Sequence, residues 1–141
     1  MIYVEKQSKL TIVTNDNKKV EEAVVSVVTE SDEGKIEILP NHTKSIISTI
    51  PTVTTFISSD GKEKNLFTSS GIIYIDNNSI KFCCDSINWP EEIDLDRAKL
   101  AEERAKKRLS EKGNTDTERA KNALLRAKAR IEIKKNGFVL K

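Results

Sequence analysis

The sequence predicts an α+β protein, an N-terminal antiparallel β-sandwich followed by a C-terminal antiparallel helical hairpin. Short β-branched runs recur as far as residue 88, with Asn, Asp and Gly clusters between them. Many short strands at regular spacing are typical of a sandwich. The composition then changes to Ala, Leu, Glu, Lys and Arg, which are strong helix formers. We therefore expect a sandwich over 1–88, a linker over 89–93, a hairpin over 94–135 and a tail over 136–141.

Eight runs in the first part carry a strand signal. Residues 35–38 and 79–82 alternate polar and apolar side chains with a period of two, as half-buried strands do. Asp60-Gly61 favours a hairpin turn, because both central positions of a type I′ turn need positive φ. The predicted strands are 10–13, 23–28, 35–39, 45–50, 52–57, 64–68, 72–75 and 80–83.

Helix signals begin after Trp89-Pro90, which breaks the last strand. Asp94 suits the N-cap of a first helix, which we expect to end at Gly113-Asn114 because Gly tolerates the left-handed conformation. Residues 115–118 read as a capping box that opens a second helix. The predicted inner faces are Leu95, Ala98, Ala101, Ala105 and Leu109 on the first helix, and Ala120, Ala123, Leu124, Ala127 and Ile131 on the second.

These inner faces are rich in alanine, so each buries little apolar area and stabilises the hairpin weakly. Isolated helices of this length are marginal in water. We expect the hairpin to depend on what it packs against, and to be able to rearrange.

The balance of acidic and basic residues also changes near residue 90. Residues 1–90 hold nine lysines, no arginine and twelve acidic residues, whereas residues 91–135 hold fourteen basic residues against ten acidic ones. No apolar run approaches the roughly 20 residues that cross a bilayer, and the first residues lack a secretory-signal pattern. The sequence therefore predicts a cytoplasmic protein whose two parts have different partners.

The motifs of common enzymes are missing from the sequence. It has no Gly-rich phosphate loop, no HExxH and no Cys/His cluster at metal-ligand spacing. Cys83 and Cys84 are neighbours in a predicted strand, so they point to opposite faces and are not expected to bridge. A small hydrolase that uses His42 with Ser45 stays open as an alternative, but the sequence offers no group to orient the base.

Four arginines of the hairpin are predicted to come together. Arg97 and Arg104 are two turns apart on the first helix, and Arg126 and Arg130 are one turn apart on the second. In an antiparallel hairpin, position 97 lies level with about 130 and position 104 with about 126. Arginine suits phosphate, because its fork of donors matches phosphate geometry. A solvated basic face and a nucleic-acid-binding surface remain alternatives, although the aromatic side chains used for base stacking are few.

Several strings in order resemble the epsilon subunit of F-type ATP synthase, from about residue 8 to 133. Ile93 to Ala98 fits the family's IDxxRA motif, and Asn41 stands where the family usually has glycine. Asparagine tolerates positive φ, so the turn is expected to persist. The other matching strings are 10–14, 34–42 ("GEFGILPGH" in the family), 69–71 ("SGG"), 103–109 and 125–130.

The resemblance implies a non-catalytic rotor subunit at the cytoplasmic face of the bacterial plasma membrane. It implies that the sandwich binds the gamma subunit and the c-subunit ring, and that the extended hairpin reaches the alpha/beta catalytic head and restrains ATP hydrolysis. No cofactor is required, but ATP is implied as a regulatory ligand of the folded hairpin. When the family's ATP site is carried over to this sequence by position, the implied residues are Ile93, Asp94, Arg97, Ala98, Arg104, Arg126 and Arg130.

Overall fold

Alternating side chains build the first part of the chain into β-strands. The computed structural model describes residues 7–111 and 116–136, and all eight predicted strands are present, most of them longer than predicted. A short strand at Ile87–Asn88 was not predicted, because two residues carry no periodicity. The strands are β1 Ser8–Thr14, β2 Lys19–Ser31, β3 Gly34–Ile38, β4 Ser45–Thr49, β5 Thr52–Ser58, β6 Glu63–Thr68, β7 Gly71–Asp76, β8 Ser79–Cys84 and β9 Ile87–Asn88.

The strands pair in the order β1-β8-β7-β4-β2-β5-β6-β9, and β3 pairs with β2. β1 pairs in parallel with β8 and antiparallel with β2, so the sheet folds back on itself into two layers. The long strand β2 belongs to both layers, because its first half pairs with β1 and its second half with β3 and β5. Its register with β5 shifts between Val24 and Ser26. This arrangement confirms the predicted sandwich.

The interior of the sandwich is apolar, with one hydrogen-bonded polar chain. The hydroxyl of Thr54 lies 2.8 Å from that of Thr29 and 2.7 Å from that of Thr68, so all three buried hydroxyls have partners. The largest side chains of the surrounding core are Phe56, Phe82, Leu10, Ile12, Ile38, Leu66, Ile73 and Ile80.

Asparagines make several of the turns. Asn41 adopts φ 66°, so this position keeps the left-handed turn conformation that was expected of it. Its backbone N–H donates to the side-chain oxygen of Asn78, which also has positive φ. Gly61 of the Asp60-Gly61 turn has φ 87°, but Asp60 is not among the described residues with positive φ. The predicted hairpin of β5 and β6 is therefore present without the type I′ turn that the signal implies.

Two helices follow the sandwich, as predicted. After a 3-10 helix at Pro90–Glu92, α1 spans Leu95–Ser110 and α2 spans Thr117–Asn136. α1 therefore ends before the Gly113-Asn114 stop that the sequence favoured. Gly113 and Asn114 lie outside the described part of the chain, as does Thr115 of the predicted capping box. The tail from residue 137 onward also lies outside it.

The helices pack against each other through small side chains. Ala98 and Ala105 of α1, and Ala120 and Ala127 of α2, are buried as the predicted inner faces require. The larger members of those faces, such as Leu109, are only partly buried. No helix in the described ranges is long and apolar enough to span a membrane.

α2 also has a second apolar face, which the sequence analysis did not predict. Ala129 and Ile133 pack with Phe67 of β6 and Ile93 of the linker, and Val53 of β5 lies against them. α2 thus lies between α1 and the outer surface of the sandwich. The hairpin is docked on the sandwich by a small cluster that is separate from the main core.

Candidate anion-binding site

A cavity of about 360 Å³ lies where the linker, the start of α1 and the C-terminal half of α2 meet. Sites for small ligands usually enclose about 300–1,000 Å³. The alanines of the two helices leave room for it between their backbones. Its lining residues are Asn88, Glu92, Ile93, Asp94, Arg97, Ala98, Ala101, Ala127 and Arg130.

Asp94 sets the direction in which α1 leaves the linker. Its side chain accepts a hydrogen bond from the backbone N–H of Arg97 at 3.2 Å, which confirms the predicted N-cap. The cap fixes the first turn of α1, and this turn brings Arg97 and Ala98 to the cavity wall. The capping bond occupies one oxygen of the Asp94 carboxylate.

Glu92 is the second carboxylate at the cavity, and it also has partners. One of its oxygens accepts from the backbone N–H of Trp89 at 2.8 Å, and the other lies 3.2 Å from the ammonium of Lys18. The bond from Trp89 and the charge of Lys18 lower the pKa of Glu92 from its ordinary value. Both carboxylates are therefore engaged before any ligand enters.

Arg130 contacts the sandwich through two groups. Its guanidinium carbon lies 4.3 Å from the centre of the Phe67 ring, and its Nε donates to the side-chain oxygen of Asn88 at 3.0 Å. Burial, and then the positive charges of Arg126 and Arg97, lower the pKa of Arg130 from its ordinary value. An anion bound beside Arg130 would relieve this repulsion between like charges.

The arginines at the cavity are not neutralised by acids. The ion pairs found within residues 7–111 and 116–136 include neither Arg97 nor Arg130. Arg130 is partly buried, so it gains more from an anion than the exposed Arg97 does, because less water competes for it. The cavity therefore suits a ligand with negative charge and an apolar part.

Five of the seven residues predicted for the site line the cavity, namely Ile93, Asp94, Arg97, Ala98 and Arg130. Arg104 is exposed and does not line it. Arg126 does not line it either, although its charge reaches Arg130. The prediction missed four lining residues. Ala101 and Ala127 were assigned only to helix packing, and Glu92 carries no motif of its own in the sequence. Asn88 was noted only as the residue that stands where the resembled family often has a carboxylate.

The alternative catalytic pair does not assemble. His42 Nδ1 lies 2.7 Å from the carbonyl oxygen of Thr43, and the hydroxyl of Ser45 donates to that same carbonyl. Ser45 is thus not hydrogen-bonded to the imidazole as a nucleophile would be. Within the described residues, no group of His, Cys, Asp or Glu could hold a metal ion.

Family comparisons cover nearly the whole chain. Residues 7–90 match the model described as "ATP synthase, Delta/Epsilon chain, beta-sandwich domain". Residues 91–135 match the model described as "ATP synthase, Delta/Epsilon chain, long alpha-helix domain". The boundary between the two matches falls at the 3-10 helix of the linker.

Similar full-length proteins occur in clostridia. The ATP synthase epsilon chain of Clostridium kluyveri is 46% identical over 127 residues, which is 90% of this chain and 96% of that one. The epsilon chain of Clostridium novyi is 43% identical over 128 residues, covering 91% of this chain and 98% of the relative. That of Clostridium acetobutylicum is 42% identical over 106 residues, covering 75% and 80%.

Solved structures share the fold at low identity. A chain of the Euglena gracilis mitochondrial ATP synthase (OSCP/F1/c-ring) superimposes with a TM-score of 0.80 at 19% identity, over 93% of this chain and 82% of that one. A chain of the Tetrahymena thermophila mitochondrial ATP synthase (central stalk/c-ring) gives 0.55 at 13% identity, over 96% and 98%. The sandwich-plus-hairpin architecture is therefore common to these chains.

Proposed function

The chain belongs to the ATP synthase delta/epsilon family, and we propose on that premise that it is a non-catalytic rotor subunit of a bacterial F-type ATP synthase. The observation that carries the proposal is the match of both domains, in order, with 46% identity to an epsilon chain over 90% of the length. The subunit couples rotation and restrains ATP hydrolysis through its movable hairpin. Family membership does not support the nucleic-acid-binding alternative.

The complex to which such a subunit belongs is membrane-associated, and the chain takes part in it through protein contacts. We propose that it lies at the cytoplasmic face of the plasma membrane, with the gamma subunit and the c-subunit ring bound by the sandwich. The alpha/beta catalytic head is then the partner of the extended hairpin. The weak alanine faces of the hairpin and its small docking cluster support such a rearrangement, because a small stability gap is easily biased.

An apolar patch on the outer face of the sandwich supports the contact with gamma. Ile46 of β4 is 73% exposed, and its pairing partner Tyr74 of β7 is 44% exposed. Ile72, two residues along β7, is 39% exposed and pairs with Cys83 of β8. Apolar side chains grouped on a surface mark interaction sites. We assign this outer patch of Ile46, Ile72, Tyr74 and Cys83 to the gamma subunit.

Replacing Ile46 by Asp is expected to weaken association with the gamma subunit by about tenfold or more, since the interface would bury an unpaired charge. The free chain should keep its stability, because Ile46 is exposed. Co-purification with the synthase from native membranes measures the effect. Leu100→Asp, an exposed leucine on the hairpin, is the control and should leave co-purification intact.

Thiol labelling gives a second measurement on the same patch. Cys83 is partly exposed, whereas Cys84 is buried, and burial raises the pKa of the Cys84 thiol to about 12. A maleimide should therefore modify Cys83 in the free chain and leave Cys84 largely unmodified. Equal labelling of Cys83 in the free chain and in the assembled synthase would reject the patch as the contact.

Consistent absence of the chain from the purified complex would reject the rotor function itself.

We also propose that the docked hairpin binds ATP in the cavity. Arg97 and Arg130 contact the phosphates, and the apolar wall that includes Ile93, Ala98 and Ala127 receives the rest of the nucleotide. Three observations support this assignment: two arginines that have no carboxylate partner among the described residues, carboxylates that are already engaged, and a volume of about 360 Å³. Arg104 and Arg126 contribute through their charge rather than by direct contact.

Arg130→Ala is expected to weaken ATP binding about tenfold or more, because it removes charge-assisted hydrogen bonds to phosphate. Titration of the isolated chain with ATP, followed by calorimetry or NMR, measures the loss. Arg119, an exposed arginine near the start of α2 that lies 3.7 Å from Asp116, provides the matched control. Arg104→Ala should have a smaller effect than Arg97→Ala. No binding at millimolar ATP would reject the nucleotide site.

A further inference from the structure

Arg130 of α2 lines the cavity, but the groups that contact its side chain belong to the sandwich. The guanidinium of Arg130 lies 4.3 Å from the centre of the Phe67 ring on β6. Its Nε donates to the side-chain oxygen of Asn88 on β9 at 3.0 Å. Phe67 and Asn88 are direct partners in the antiparallel pairing of β6 with β9, so their side chains lie side by side.

This arrangement occupies one face of the guanidinium and one of its five N–H donors. Phe67 is fully buried, which holds its ring in place beneath Arg130. Within the described residues, the bond to Asn88 is the only hydrogen bond made by the Arg130 side chain. The four N–H groups on the two terminal nitrogens are therefore left for a ligand in the cavity, which Arg130 lines together with Arg97.

We infer that Phe67 and Asn88 are positioning residues, which hold Arg130 in the orientation that a phosphate group in the cavity requires. The inference rests on the proposed binding of ATP and assigns a part of that binding to the sandwich. A long arginine side chain loses much rotational freedom when it binds. The ring and the amide remove that freedom before the ligand arrives, so part of the ordering cost of binding is already met.

The first test asks whether the sandwich holds Arg130 in the absence of ligand. In NMR spectra of the full chain, the Arg130 Nε–H signal should exchange slowly with water and be shifted by the Phe67 ring. Asn88→Ala should speed that exchange, and Phe67→Leu should abolish the ring-induced shift. A signal unchanged in both variants would overturn the inference. Asn65→Ala is the control, since Asn65 lies on β6 but does not line this cavity.

The second test separates positioning from a general loss of structure. Asn88→Ala and Phe67→Leu should each weaken binding of ATP and of inorganic tripolyphosphate about tenfold. In an Arg130→Lys background, which keeps the charge but lacks the guanidinium, the same changes should have little further effect. Equal losses in both backgrounds would overturn the positioning role.

Binding measurements distinguish a failure of the proposed nucleotide site from a failure of the positioning role. If the unchanged chain binds neither ATP nor tripolyphosphate, the nucleotide site is rejected and the positioning role falls with it. If the unchanged chain binds ATP and the Asn88 and Phe67 variants bind it equally well, only the positioning role is rejected.

Discussion

Ile133→Ala is expected to release the helical hairpin from the sandwich while the sandwich stays folded. Ile133 is only 2% exposed and belongs to the small cluster that docks α2, together with Phe67, Ile93 and Ala129. Truncation of a buried isoleucine to alanine costs about 2–5 kcal/mol. The alanine faces of the hairpin bury little other apolar area, so this cost falls on docking rather than on the main core.

Amide hydrogen exchange measures the release. Residues 95–110 and 117–136 should lose protection, while the strands of the sandwich keep theirs. Leu125→Ala is the control, because Leu125 lies on the same helix but is 36% exposed, and it should change stability by about 0.5 kcal/mol or less. Unchanged protection of the hairpin, or equal loss of protection in both parts, would contradict the expectation. ATP affinity should fall as well, since Arg130 would leave Phe67 and Asn88.

Gly71→Ala is expected to destabilise the sandwich itself, whereas Ile133→Ala destabilises only the docking of the hairpin. A Cβ at position 71 would lie 2.2 Å from the carbonyl oxygen of Cys83 and 2.7 Å from the Cβ of Cys84. The closest atom belongs to the backbone of β8, which is held by pairing on both sides, to β7 and to β1. The neighbouring strand must therefore shift, and overpacking of this kind typically costs about 1–3 kcal/mol.

Chemical denaturation followed by circular dichroism measures this cost as a lower transition midpoint. Ser70→Ala is the control, since it changes the adjacent residue without adding an atom, and it should leave the midpoint nearly unchanged. Because the hairpin docks on the sandwich, both parts should unfold together in the Gly71 variant. A midpoint equal to that of Ser70→Ala would show that β8 moves aside at little cost.

The sequence was most informative where local chemistry decides the structure. Strand alternation, the Asp94 cap and the alanine stripes of the helices were all predicted, because each depends on neighbours within one or two turns of the chain. The docking face of Ala129 and Ile133 was not predicted. A second apolar stripe on α2 becomes meaningful only when the outer face of β5 and β6 is known to lie beside it.

The candidate site was predicted in part for a related reason. Spacing correctly indicated that Arg97 and Arg130 face each other, but it could not show where the cavity ends along the hairpin. Arg104 lies about 10 Å further along α1 than Arg97, on the side away from the linker and past the last lining residue of α1, Ala101. The resemblance marked Asn88 only as the residue that stands where the family often has a carboxylate. Its bond to Arg130 was not predicted, because that bond depends on the pairing of β9 with β6.

The linker also determines where the molecule can bend. Lys18 of the sandwich holds its start, by donating to the carbonyl of Ile87 and pairing with Glu92. Trp89 anchors it further by its edge-on contact with Phe56. Lys134 of α2 reaches only the carbonyl of Pro90. Departure of the helices breaks that bond and the bond from Arg130 to Asn88, but it leaves the contacts of Lys18 and Trp89 intact. The pivot therefore falls after Glu92, and residues 87–92 stay with the strands.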